Sequence, residues 1–178
     1  TDKKRSEELI WTQANFDVLT GLPNRRMFLD RLTQGMKEAH RGGFKLALMF
    51  LDLDHFKAVN DTLGHAMGDL LLVEVAHRIA ECTRESDTVA RIGGDEFTVI
   101  LTNLTDTLAI ERIASNILAS LVQTFKLGGT PAHVSASIGI TLYPDDADNQ
   151  KDLLSHADQA MYAAKANGRN QLCCFKRV

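Results

Sequence analysis

The chain has little that would carry it into a membrane, onto a polyanion or around a zinc ion. Its longest uninterrupted apolar run is Leu46 to Leu51, far short of the ~20 residues that span a bilayer. The N-terminus lacks the apolar core of a signal peptide, so direct membrane insertion is not expected. Lys and Arg number 20 against 23 Asp and Glu, a formal net charge of -3. That balance offers no general basic surface for a nucleic acid polymer. The three cysteines, Cys82, Cys173 and Cys174, form no C-x-x-C pair, and reduced, mostly packed thiols are expected. The six histidines show no H-E-x-x-H spacing, which removes the usual sequence basis for a zinc site. A G-x-S-x-G elbow and a G-x-x-x-x-G-K-[ST] loop are also absent, arguing against an α/β-hydrolase and a P-loop enzyme.

What is present suits one globular domain: 178 residues, 44% hydrophobic and 24% charged, enough for a substantial core. Residues 1 to 15 read as a polar helix without a convincing cap or a sustained apolar seam. This pattern suggests a helix continuing from an upstream segment. A turn cluster at Thr20-Gly21-Leu22-Pro23-Asn24 precedes a helical pattern through Phe28, Leu32, Met36 and Ala39, closed by Gly42-Gly43. Phe44 to Asp54 reads as a buried strand, apolar until Asp52 and Asp54. Asp69 is expected to cap a helix through Leu72, Val75 and Ile79. Leu104 to Phe125 reads as a helix, Ala132 to Tyr143 as a strand, Asp152 to Asn167 as a helix stopped by Gly168, and Gln171 to Lys176 as a strand.

Gly93-Gly94-Asp95-Glu96-Phe97 stands between the strand-like runs Val89 to Ile92 and Phe97 to Leu101, and reads as a tight hairpin. Its glycines let a phosphate approach the backbone, with two carboxylates at the exit to hold a hard cation. A solvated acidic hairpin accounts for the same string. Asp52 and Asp54 share one strand face, and carboxylates at the end of an apolar strand are costly without partners. If the hairpin lies beside that strand, Asp52, Asp95 and Glu96 converge on an ion, magnesium or manganese rather than zinc. An Asp carboxylate at position 69 suits the donor edge of guanine, and Asn60 adds an amide; a helix cap and an Asx turn are the plain alternatives. Lys165 and Arg169, four apart, can share one side of a terminating helix and grip a polyphosphate, or simply offset the helix dipole. Arg84 with Asp87 reads as an ordinary surface ion pair.

Helices alternate with strands, and the hairpin forces an antiparallel pair. The expected fold class is therefore α+β, a largely antiparallel central sheet flanked by helices.

Taken together, the motifs resemble the GGDEF family of diguanylate cyclases from Asp17 to Phe175. The resemblance rests on Asp17-Val18-Leu19-Thr20-Gly21-Leu22-Pro23-Asn24-Arg25, Asp52-Leu53-Asp54-His55-Phe56-Lys57, Asn60-Asp61-Thr62-Leu63-Gly64-His65 and Gly68-Asp69. It continues in the Gly93 to Phe97 string, Ser137-Ile138-Gly139 and Ala157-Asp158-Gln159-Ala160-Met161-Tyr162 through Lys165 and Arg169. It implies a sheet similar to the polymerase palm and the class III nucleotide cyclase core, and a reaction joining two GTP into cyclic di-GMP and two pyrophosphates. By position, Asp52, the Leu53 backbone carbonyl, Asp95 and Glu96 match a Mg2+ (or Mn2+) site, with Asp95 and Glu96 catalytic. Glu96 fits either a base or a metal ligand. Asn60, Asp69, Phe56, Lys57, Gly94, Lys165 and Arg169 match substrate contacts. Arg84 and Asp87 match an inhibitory R-x-x-D product site, for which Arg112 is a candidate second arginine.

The resemblance further implies a catalytic homodimer, with residues 1–16 as a signalling helix from a missing sensory domain and 17–178 as the cyclase domain. A cytoplasmic location follows for the domain, with any membrane anchor elsewhere in a longer protein. The alternative is a catalytically silent domain that binds GTP or cyclic di-GMP, in a GGDEF-EAL tandem or elsewhere.

Overall fold

A computed structural model describes residues 1–176, so the expected domain end at 178 lies outside the described residues. The elements, in order, are α1 (Asp2–Asn15), α2 (Arg25–Gly42), β1 (Lys45–Asp54), α3 (Phe56–Leu63), α4 (His65–Glu81), β2 (Thr88–Gly93) and β3 (Glu96–Leu104). They continue with α5 (Leu108–Leu121), β4 (Phe125–Leu127), β5 (Thr130–Ala132), β6 (Ser135–Tyr143), α6 (Gln150–Ala166) and β7 (Gln171–Cys174). A five-stranded sheet has the order β2-β3-β1-β6-β7. It is antiparallel except for the β6–β7 pair, and helices cover both faces, the α+β sheet expected.

Strand β1 is central, and its residues divide between two cores. Ala47, Met49, Leu51 and Leu53 join Val75, Ile79, Val99 and Ile117 on the α4/α5 side. Leu46 and Leu48 join Phe28, Leu32, Leu153 and Ala157 on the α2/α6 side. Burial on both faces explains the unbroken apolar run. On the opposite side of β1 from β3, Gly139 of β6 brings α6 close. A Cβ there would lie 2.1 Å from Met161 N and 2.3 Å from Ala157 O, so helix backbone rests directly on the strand.

Several expected boundaries shift. Thr1 does cap α1, its side chain accepting from Lys4 N at 3.4 Å. The long fourth helix begins at His65, after Gly64, not at Asp69. The strand foreseen over Ala132 to Tyr143 divides: Thr130–Ala132 folds back on Phe125–Leu127 as a small hairpin, leaving Ser135–Tyr143 for the main sheet. The Leu104 to Phe125 segment is helical only over Leu108–Leu121. The cysteines are free, but Cys174 is exposed rather than packed. Among the described residues, no helix is long and apolar enough to cross a membrane.

The Gly139 contact is testable. Gly139→Ala forces α6 off the sheet and costs about 2–4 kcal/mol, read by chemical denaturation. Unchanged stability would contradict the close packing.

Candidate active site

The site lies at the C-terminal end of β1, where Asp52 and Asp54 are buried carboxylates. Asp52 continues the Leu46–Leu48 face, opposite Glu96 on β3 and Ser137 on β6. The hairpin turn places Asp95 beside it: Gly94 takes φ +46, Gly93 still pairs with Glu96, and the Asp95 carbonyl accepts from Leu53 N at 3.2 Å. One glycine of the pair, not both, thus supplies the left-handed turn residue. Because N–H and C=O of a strand residue point to the same side, the Leu53 carbonyl is directed toward the hairpin as well.

Lys165, in the last turn of α6, donates to Asp52 Oδ2. Asp52 Oδ1 is buried with no hydrogen-bond partner. Burial first, and then the Asp52 charge, push the Asp95 carboxyl up to about 6 from 3.8. An orphaned carboxylate oxygen and a carboxyl resisting ionisation fit a cation shared between Asp52 and Asp95. The expected three-carboxylate cluster does not form, however. Among the described residues, no three His, Cys, Asp or Glu side chains are grouped to hold a metal. Glu96 is exposed and lines a cavity of about 310 Å³ between α2, α6 and the sheet, with Arg25 and Asp158. Strand pairing sets Glu96 opposite Asp52, while its side chain takes its place along that cleft.

The α3–α4 corner overturns two plain alternatives. Asn60 lies within α3, not in an Asx turn, and Asp69 is exposed in the second turn of α4, not at its cap. Gly68 is what lets the two helices meet there: a Cβ would sit 1.8 Å from Asn60 Oδ1 and 3.3 Å from the Phe56 ring. Asn60, Phe56 and Asp69 therefore border one corner, with Lys57 exposed on the first turn of α3. The short α3 enters through His55 at φ +62.

Lys165 and Arg169 do not share a helix. α6 ends at Ala166, and Gly168, Arg169 and Asn170 follow with φ +117, +65 and +48. Asn170 N donates to Asp54 Oδ2 at 3.0 Å, and Asp54 also accepts from Ser135 Oγ and Ser137 Oγ, both at 2.7 Å. The buried Asp54 is therefore part of the framework, although spacing paired it with Asp52 as a second site carboxylate.

The Arg84–Asp87 pair is more than a surface ion pair. Arg84 Nε and Nη2 reach both Asp87 oxygens at 3.2 and 3.0 Å, and Nη2 also donates to Thr102 O at 2.7 Å. The Asp87 side chain is fully buried while that of Arg84 is half exposed. Arg91 is a residue that sequence reading passed over. Its Nη1 donates to both Asp17 oxygens at 2.9 and 3.1 Å, and its Nε donates to Gly94 O at 2.9 Å. That chain ties the segment after α1 to the acidic turn.

A family model described as "Diguanylate cyclase, GGDEF domain" matches residues 14–171. The chain belongs to the GGDEF family. It is 48% identical over 158 residues to diguanylate cyclase TpbB of Pseudomonas aeruginosa, covering 88% of this chain and 36% of that protein. It is 43% identical over 176 residues to the bifunctional diguanylate cyclase/cyclic di-GMP phosphodiesterase MucR of the same organism, covering 99% of this chain and 26% of that protein. The chain thus spans about a quarter to a third of these curated relatives. The solved GGDEF domain of TpbB superposes with a TM-score of 0.88 at 46% identity, covering 90% of this chain and 94% of that one. The coiled coil and GGDEF domain of DgcB from Caulobacter crescentus, in complex with c-di-GMP, gives 0.87 at 30% identity, covering 97% and 92%.

In this GGDEF domain, the raised Asp95 carboxyl favours the protonated form in the fold. Its contribution to stability is complete below about pH 3.8 and is lost as pH rises through about 6. Asp95→Asn escapes that loss. In chelator-treated buffer at pH 7.5 the variant melts about 2–5 °C above wild type, and the gap closes below pH 4. Equal melting points at pH 7.5 would exclude the raised Asp95 carboxyl as a source of instability.

Proposed function

We propose that this domain is a diguanylate cyclase, each copy holding one GTP and two copies reacting face to face. The observation that carries this reading is the Asp52–Asp95 pair, with a buried, unpartnered Asp52 oxygen beside Lys165, in a chain whose GGDEF string is intact. Asp52 and Asp95, with the Leu53 carbonyl nearby, hold a divalent cation, Mg2+ or Mn2+, that offsets charge building on the phosphates. Asn60 and Asp69 read the guanine edge, and Phe56 walls its pocket. Lys57 and the Gly94 backbone face the phosphates, while Lys165 and Arg169 grip the terminal ones.

Each 3′-hydroxyl oxygen bonds to the other nucleotide's α-phosphorus, the α–β bridging P–O bond breaks, and pyrophosphate departs. Glu96, free of the Asp52–Asp95 pair and accessible, accepts the hydroxyl proton. Two nucleotides must approach from opposed copies, which fits an isologous dimer. Arg84 with the buried Asp87 offers its exposed guanidinium to product, giving feedback inhibition, and Arg112 is the candidate second arginine. α1, which buries none of its residues, is read as the route from an upstream sensory domain into the domain that follows.

Incubating the chain with GTP and Mg2+ or Mn2+ and separating the nucleotides yields cyclic di-GMP and pyrophosphate. The rate rises faster than linearly with protein concentration. Asp95→Ala and Glu96→Ala each lower it by about 100-fold or more. GTP binding without product at high protein concentration would leave the silent-receptor reading in its place. Arg84→Ala retains turnover and loses product inhibition; inhibition equal to wild type would reject that site.

Gly68→Ala, which displaces the Asn60 amide, raises the GTP concentration needed for half-saturation about tenfold. An unchanged value would remove Asn60 from base recognition.

A further inference from the structure

Asp54 is 2% exposed, and the chemistry above gives it no role. A carboxylate buried at that depth must have its lone pairs met. Neutral donors meet them here: the Ser135 and Ser137 hydroxyls at 2.7 Å each and Asn170 N at 3.0 Å. The hydroxyls come from β6, the strand paired with β1, so they fix the carboxylate within the sheet. The third donor comes from the turn between α6 and β7.

That turn has an unusual backbone. Gly168, Arg169 and Asn170 follow one another with φ +117, +65 and +48. Residues with side chains adopt this region mainly where their surroundings hold them. Some holding is local: Arg169 N donates to Ala164 O at 3.0 Å, and Gln171 Nε2 donates to Asn167 O and Arg169 O at 3.0 and 3.1 Å. Asn170 N is the turn's direct bond to the end of β1, two residues beyond Asp52.

We infer that Asp54 is a positioning residue for Arg169. Pinned by two serines, its carboxylate holds the Asn170 amide and so keeps the left-handed turn that presents Arg169 to the terminal phosphates of the nucleotide. The inference rests on the phosphate-gripping role proposed for Arg169. A purely structural Asp54 would, when replaced, lower stability and weaken all ligands alike. A positioning Asp54 acts on the triphosphate alone.

The test measures binding of a non-hydrolysable GTP analogue and of GMP, with Mg2+, to wild type, Asp54→Asn, Arg169→Ala and the double variant. Hydrogen exchange at the Asn170 amide is followed in parallel. The Asn side chain is neutral: with its oxygen on Ser135 Oγ and Asn170 N and its amide donating to Ser137 Oγ, the bond to the Asn170 amide loses the strength of a charged acceptor.

Asp54→Asn is expected to weaken the triphosphate analogue about tenfold, to leave GMP within about twofold, and to speed Asn170 exchange about tenfold or more. On the Arg169→Ala background it adds no further loss. Wild-type affinity in Asp54→Asn, equal losses for both ligands, or a full loss persisting without Arg169 would each overturn the inference. Arg169→Ala alone tests the earlier reading. If it binds the analogue as wild type does, the phosphate grip and the inference built on it both fall; if it binds weakly while Asp54→Asn does not, the inference falls alone. Should Asp54→Asn not fold, Ser135→Ala decides: a smaller, triphosphate-selective loss supports the role, and no loss or an unselective one rejects it.

Discussion

The site depends on β1 staying buried to its last residue while its cover changes from apolar side chains to polar groups at one end. A strand packed between two cores carries apolar side chains in both directions, and buried carboxylates can follow only where polar partners replace the apolar cover. Asp52 and Asp54 come at that boundary. There the first meets Lys165 and the acidic turn, while the second is enclosed by β6 and the turn after α6. Two aspartates of identical chemistry, two residues apart on one face, thus receive different duties. One retains a buried oxygen without a partner, and the other is fully engaged by donors.

Missing side chains shape the surroundings as much as present ones do. Gly139 lets the α6 backbone lie on β6 one turn before Lys165, which sets that lysine's height over Asp52. Gly68 leaves the space that Asn60 fills between α3 and α4, and Gly94 takes the left-handed residue of the acidic turn. Each glycine converts a backbone approach into the position of a polar group elsewhere. Exposed groups such as Lys57 and Arg169 lie outside these close contacts.

The Asp17–Arg91–Gly94 connection gives the N-terminal segment a direct hold on the acidic turn. Desolvation works against the Asp17 charge, but hydrogen bonds from Thr20 and Arg91 outweigh it and lower the carboxyl's pKa. Movement of the segment following α1 would thus pull at the Gly94 carbonyl rather than dissipate in a loop. Names among the relatives range from diguanylate cyclase through bifunctional cyclase/phosphodiesterase to cyclic di-GMP phosphodiesterase. Because this chain matches only a quarter to a third of each protein, those names describe assemblies in which the same fold is one part.

The sequence by itself determined the sheet's antiparallel core, the central buried strand, the hairpin at Gly93 to Phe97 and the family to which these belong. Apolar run length, strand alternation and the turn-forming Gly-Gly pair are local properties. They survive without knowledge of what packs against them. Lys165, Asn60 and Asp69 are legible in the sequence too, but their local settings are not: Arg169 lies beyond the helix that carries Lys165, Asn60 stands within α3, and Asp69 lies in the second turn of α4. Tertiary structure alone decided that Lys165 sits on Asp52, that Glu96 stands apart from the Asp52–Asp95 pair, and that Asp54 belongs to the framework. It also joined Arg91 to Asp17 and Gly94. Those outcomes come from contacts between residues as many as 116 positions apart, where burial and the choice of hydrogen-bond donor determine what a carboxylate does. No spacing rule within one segment contains that information.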